Sequence, residues 1–150
     1  MKKIIVLFIV LVVLIFSIFV LADIDIENEK AAIKNATLDY LEGWYDGDAE
    51  RMERALHPEF FTKRGILIHP NTGEMATPHL NAEMMIGYVK QGGGKSFPRE
   101  KLKNEVTILD IYKNTASVKA ISAQYVDYLH LAKFNGKWMI VNVLWELKTE

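Results

Sequence analysis

The chain has 150 residues, 50% of them hydrophobic, with 18 basic and 19 acidic side chains and no cysteine. That length supports one domain with a full core and leaves no room for a second, and the near-neutral charge argues against nucleic acid, which calls for a clustered excess of Lys and Arg. Without cysteine there is no disulfide, thiolate metal site or Cys nucleophile, and four histidines remain as bases or ligands.

Met1-Lys2-Lys3 leads into residues 4–22, an apolar run broken only by Ser17, and Asp23-Ile24-Asp25 follows. The cationic start, the apolar stretch and the small residue Ala22, with Val20 two before it, fit a secretory signal cleaved after Ala22. A run this long also suits a bilayer core of about 30 Å, so a retained signal anchor is the alternative, with the membrane touched only through residues 4–22. In either case Lys2 and Lys3 stay on the cytoplasmic side and the rest is exported, to the periplasm or outside the cell. The organisation is then 1–22 as signal peptide or anchor and 23–150 as one domain. Removing Lys2 and Lys3 from the 18 basic residues leaves 16 against 19 acidic ones, so that domain is mildly acidic.

From Glu27 the period turns helical, with Ile33, Ala36, Tyr40, Leu41 and Trp44 at three- and four-residue spacing opposite Lys34, Asn35, Asp39 and Glu42. This predicts a helix over about 28–45, ended by Asp46-Gly47-Asp48. Asp48 suits the N-cap of a short helix over 49–56 that turns Met52, Ala55 and Leu56 inward, and Pro58 stops it at His57. Residues 59–69 read as a strand with Phe60, Phe61, Ile66, Leu67 and Ile68, and Gly65 suggests a bulge within it. Lys63 and Arg64 are adjacent, so they point to opposite faces of that strand. Pro70-Asn71-Thr72-Gly73 is a turn, and 74–79 reads as irregular. Leu80, Met84, Met85, Tyr88 and Val89 mark a third helix over about 81–91, stopped by Gly92-Gly93-Gly94, and 95–99 reads as a flexible connection. From residue 105 on the pattern is all strand. Residues 105–113 alternate, Lys113-Asn114 turns the chain, and one long strand runs from Thr115 past Val118, Ile121 and Tyr125 into a hairpin closed by Asn135-Gly136.

Helices followed by strands imply an α+β domain. The segments Leu41-Glu42-Gly43-Trp44-Tyr45-Asp46-Gly47-Asp48, Leu56-His57-Pro58-Glu59-Phe60, Lys63-Arg64, Asp127-Tyr128-Leu129-His130-Leu131 and Gly136-Lys137-Trp138-Met139-Ile140-Val141-Asn142 resemble the nuclear-transport-factor-2-like (SnoaL-like) superfamily, and more narrowly the branch described as putative lumazine-binding. The resemblance covers about 29–147. It implies a cone-shaped, curved antiparallel sheet with three N-terminal helices on its concave face, and often a homodimer formed through the convex face.

With a two-residue Asn135-Gly136 turn and no bulge, Asp127 opposes Leu144, Tyr125 opposes Glu146 and His130 opposes Val141. One face then carries Tyr125, Asp127, Leu129, Leu131, Trp138, Ile140, Asn142 and Glu146. The other carries Val126, Tyr128, His130, Phe134, Met139, Val141, Val143 and Trp145. Asp127 and His130 fall on opposite sides, which argues against an Asp-His dyad, and which face is concave stays open. Both faces are largely apolar, in keeping with one buried in the domain and one in a homodimer.

The catalytic candidates are Asp127, as a general acid or base whose pKa is raised by apolar neighbours, and Tyr125, or in its place Tyr40, as hydrogen-bond donor to a developing oxyanion. Tyr40, Trp44, Tyr88 and Trp138 would stack on a flat ligand, Arg64 or Lys63 would hold an anion at the cone mouth, and His57, His130 and Asn142 complete the ligand set. Each has a plainer alternative: a hydrogen-bonded sheet carboxylate, core aromatics, a surface ion pair, and for His57 a cap on a last-turn carbonyl. His69 and His79 lack partners at metal spacing, so neither a metal nor a cofactor is expected. The expectation is an exported domain binding a small apolar or aromatic molecule. The alternatives are a cofactor-free isomerase, dehydratase or cyclase using Asp127, and a structural dimerisation module.

Overall fold

In the computed structural model the described residues are 2–69 and 71–148, and within the first helix side chains are described at 11–12 and from 25 onward. The chain divides into two units, Met1–Ala31 and Ala32–Glu150. In the first unit the backbone is the start of helix α1 (Lys2–Asp46), Leu11 and Val12 are exposed, and Lys30 pairs with Glu27 at 2.7 Å. The helix begins well before the expected residue 28 because no Gly or Pro interrupts the chain ahead of Gly43. The export signal expected in 1–22 falls on side chains outside the described residues. Among those that are described, no helical stretch is long and apolar enough to cross a membrane.

In the second unit α1 buries Ile33, Ala36, Tyr40 and Leu41 of the stripe expected from the spacing, adds Thr37 and Tyr45, and leaves Trp44 half-buried. The helix ends at Gly47, whose φ of +66° is a left-handed value that glycine adopts without a side-chain clash. Helix α2 (Ala49–Ala55) follows, with the Asp48 side chain accepting from the Arg51 N–H at 3.0 Å as its N-cap. Arg51 ties α2 to α1 through Asp39 at 2.8 Å and through Glu42.

The strands are β1 (Thr62–Ile68), β2 (Met75–Ala76), β3 (His79–Asn81), β4 (Glu105–Tyr112), β5 (Thr115–Ile121), β6 (Tyr125–Phe134) and β7 (Lys137–Leu147), with α3 (Ala82–Lys90) after β3. Asn81 N-caps α3 by accepting from the Met84 N–H at 2.9 Å. The sheet runs β2-β1-β7-β6-β5-β4, with β3 also on β1. The fold is thus α+β, three helices and a curved, unclosed sheet. It is mixed, because β1 pairs parallel to β7 while the other pairings are antiparallel. Strand alternation carries no information on direction, so sequence pattern could not distinguish this from an all-antiparallel sheet.

Four local readings change. Residues 74–79, expected to be irregular, contain β2 and the start of β3, which pair with β1, and the glycine-rich connection forms 3-10 turns at Gly93–Ser96 and Arg99–Lys101. The long strand expected from Thr115 through Tyr125 is two antiparallel strands. They are joined at Ser122, where the Tyr125 N–H donates to Ser122 Oγ at 3.2 Å and the Ser122 N–H to the Tyr125 carbonyl at 2.9 Å. A serine hydroxyl makes that turn, with no Gly, Pro or Asn to announce it. Gly65 makes no bulge either, since the β1–β7 register runs unbroken from Thr62↔Asn142 to Ile66↔Glu146.

The closing hairpin has the expected turn, with φ of +50° at Asn135 and +82° at Gly136. Its register matches expectation from Phe134↔Lys137 to Leu131↔Ile140 and then slips by one, so that His130 faces Asn142 and Asp127 faces Trp145. Val141 is the extra residue of a bulge. Beyond it the faces of β7 exchange: Val143 and Trp145 join Asp127, Leu129 and Leu131 on the inner face, and Asn142, Leu144 and Glu146 move outside with Tyr128 and His130. The core lies between the inner sheet face and the helices, centred on Ile33, Met52, Leu56, Met85, Leu129, Leu131, Ile140 and Val143.

Candidate functional site

On α1, Tyr40, Leu41, Trp44 and Tyr45 stand at spacings that share one helix face. Opposite them, the two-residue period of β6 turns Tyr125 and Asp127 inward, the bulge in β7 adds Trp145, and β1 adds Lys63. These residues, with Leu80, Met85 and Ser122, line a cavity of about 90 Å³.

Lys63 and Asp127 are 8% and 2% exposed, and they are the charged residues buried among the described ones. The Lys63 ammonium donates to the Tyr40 hydroxyl and lies 3.7 Å from Asp127 Oδ1, and the Tyr40 hydroxyl donates to the same oxygen at 3.4 Å. Three rings surround the ammonium, with centroids 5.0 Å (Tyr40), 5.8 Å (Tyr125) and 5.5 Å (Trp145) away, within cation-π range. Burial pulls the Lys63 ammonium below its ordinary pKa, against the pull of Asp127, and pushes the Asp127 carboxyl up, against Lys63 and Tyr40. Burial, with Asp127 adding to it, also holds the Tyr40 hydroxyl well above the usual tyrosine range.

The two tryptophans reach the cavity because glycines leave them room. A Cβ on Gly65 would lie 2.4 Å from the Trp145 ring, and one on Gly94 would lie 2.4 Å from Trp44 Nε1. Both indole N–H groups are buried without a hydrogen-bond partner in the protein. Tyr125 meets Trp145 edge to face at 5.2 Å, and Tyr45 donates to Ser122 Oγ at 3.0 Å.

Of the residues singled out from sequence, Tyr40, Trp44, Tyr125 and Asp127 come together here. The others stand elsewhere. Arg64 is exposed, and Lys63 is the inward member of that pair. Tyr88 is 44% exposed on α3, and Trp138 is buried beside Ala36 and Asp39 in a separate hollow. His130 and Asn142 meet at 3.2 Å on the outer face. His57 stacks on Phe60 at 4.4 Å, and its Nδ1 accepts from the Glu59 and Phe60 N–H groups, so it caps the turn after α2 and not a carbonyl of α2. Lys63 was an open choice in sequence because both parities of 61–68 carry apolar residues, Phe61 and Leu67 on its own side and Ile66 and Ile68 on that of Arg64. Trp145 was assigned to the wrong face by the unseen bulge. No group of three or more His, Cys, Asp or Glu residues suited to a metal occurs among the described residues.

A family model described as putative lumazine-binding matches residues 28–146. No curated protein matches the sequence. Among solved structures, an NTF2-like protein of unknown function from Silicibacter pomeroyi superposes with a TM-score of 0.61 at 16% identity, over 81% of this chain and 98% of that one. One from Methylobacillus flagellatus gives 0.59 at 22% identity, over 81% and 94%. A protein from Streptomyces avermitilis described as a putative dehydratase from the NTF2-like family gives 0.55 at 12% identity, over 83% and 99%. At these identities the likeness is one of fold. With the family model spanning nearly all of the second unit, the chain belongs to the putative lumazine-binding family of the NTF2-like fold.

Proposed function

We propose that this is an exported domain that binds a small apolar or aromatic molecule in the cavity between α1 and the inner sheet face. The carrying observation is the cavity itself: aromatic walls around a buried Lys63–Tyr40–Asp127 cluster, with two indole donors left without partners. An unpaired buried donor costs about 1–3 kcal/mol, which a ligand acceptor would recover. At about 90 Å³ the cavity is well below the ~300–1,000 Å³ of drug-sized sites, which favours a single ring or a short chain. A fragment library screened by thermal shift and tryptophan fluorescence tests this. Compounds that shift both should lose their effect in Trp145→Leu, and a library with no hits would count against the reading.

The second reading is a cofactor-free isomerase, dehydratase or cyclase. Asp127 supports it as a carboxyl on the cavity wall, raised in pKa by burial and hydrogen-bonded to Tyr40. Asp127→Asn should then abolish turnover while the fold remains, and equal activity would exclude it. We also propose a homodimer. Tyr128 and Leu144 are cross-strand partners on the outer face, 47% and 45% exposed, and a second copy would cover them. A cavity with polar groups speaks against a purely structural module.

A further inference from the structure

A buried ion pair is poor evidence for stability, since apolar residues of similar volume often serve as well or better. Lys63 and Asp127 therefore call for another explanation. Their connection offers one. An ammonium can only donate and a carboxylate can only accept, so the Tyr40 hydroxyl between them must accept from Lys63 and donate to Asp127. That is a proton relay running from the amine to the acid. Burial moves the two ionisations toward one another, so shifting the proton to leave a neutral amine and a neutral acid is less costly here than in water. A desolvated lysine of this kind is a nucleophile toward carbonyl carbon. Trp44 and Trp145 line the same cavity, and their buried N–H groups, packed against Gly94 and Gly65, have no acceptor in the protein.

We propose that Lys63 captures a small aldehyde or ketone in this cavity as a reversible imine, with Tyr40 and Asp127 moving the protons; the inference rests on the cavity being the ligand site. Lys63 first passes a proton through Tyr40 to Asp127. The amine lone pair then forms the C–N bond, and the carbonyl π pair moves to oxygen, which takes the proton back from Asp127. The nitrogen of this carbinolamine loses a second proton to Asp127. That proton then goes to the hydroxyl, the C–O bond breaks, water leaves, and the nitrogen lone pair closes the C=N bond. The one proton that never left nitrogen makes the product an iminium beside the Asp127 carboxylate, so carbonyl plus ammonium gives iminium plus water with no oxidant or reductant.

The test uses butanal with sodium cyanoborohydride on the full chain at neutral pH, where hydride from the reagent reduces the imine to a stable secondary amine that peptide mapping locates. Butan-1-ol, of the same length without the carbonyl, reports non-covalent occupancy through tryptophan fluorescence. The expected result is labelling of Lys63 ahead of every other lysine, loss of that preference on urea denaturation, and slower labelling in Tyr40→Phe and Asp127→Asn. Mapping on the unsubstituted protein needs no variant to fold. If butan-1-ol perturbs the tryptophans but the label spreads over surface lysines and spares Lys63, imine capture is overturned and the ligand reading survives. If neither compound perturbs the fluorescence and Lys63 is unlabelled, both are overturned.

Discussion

Substituting Lys63 and Asp127 singly and together tests whether the cavity holds a true buried ion pair. At 3.7 Å and an effective dielectric of about 20 their attraction is about 4–5 kcal/mol. Moving two ions out of water costs several kcal/mol each, so the pair comes near to cancelling. Lys63→Met removes the attraction and leaves the Asp127 charge, on a residue 2% exposed, with the Tyr40 hydroxyl alone. Such half-broken pairs lose about 3–5 kcal/mol. Asp127→Leu strands the ammonium in the same way, although the three rings around it soften the loss. The double variant removes both ions and should return to within about 1–2 kcal/mol of the parent, or exceed it. Urea unfolding followed by tryptophan fluorescence gives each value, and the cycle gives the coupling. Single losses below about 1 kcal/mol, in the range of exposed pairs, would refute the buried pair, as would a double variant as unstable as the sum of the singles.

Gly65→Ala places a methyl 2.4 Å from the Trp145 ring, so either the indole or the β1 backbone must shift; a loss of about 1–3 kcal/mol and a changed emission spectrum are expected, and unchanged stability would contradict this placement of Trp145. The folded Asp127 carboxyl is raised above its ordinary value of 3.8, so the folded chain binds more protons than the unfolded one between that value and the raised one. Stability from this group is therefore complete below 3.8 and declines as pH rises through the folded pKa, and the difference in Tm between the parent and Asp127→Asn should follow that slope. Leu144→Glu on the outer face should convert a dimer to a monomer by light scattering without lowering the Tm of the monomer, and a monomeric parent removes the homodimer from the proposal. Asn142→Ala breaks the contact with His130 yet should leave binding in the cavity untouched, because the two stand on the outer face.

Much of this architecture is legible in the residues. The 3.6-residue stripe of α1 put Tyr40 and Trp44 on the buried side, Asp48 announced the start of α2, and Asn135-Gly136 announced the hairpin, because each is a local preference of backbone or side chain that needs no partner. The alternation of β6 likewise placed Tyr125 and Asp127 together. What stayed hidden was set between strands. The slip at Val141 lies in the run Ile140-Val141-Asn142-Val143, where apolar residues on both parities leave the register undetermined, and it moved Trp145 inward and Asn142 outward. The parallel β1–β7 pairing joins segments far apart in the chain, and only that pairing sets Gly65 beneath the Trp145 indole and Lys63 beside it. The sequence by itself determined the three helices, the closing hairpin and the Tyr40, Trp44, Tyr125 and Asp127 part of the cavity wall. The tertiary structure decided that Lys63 faces Asp127, because which side of a two-sided apolar strand is buried depends on what packs against it.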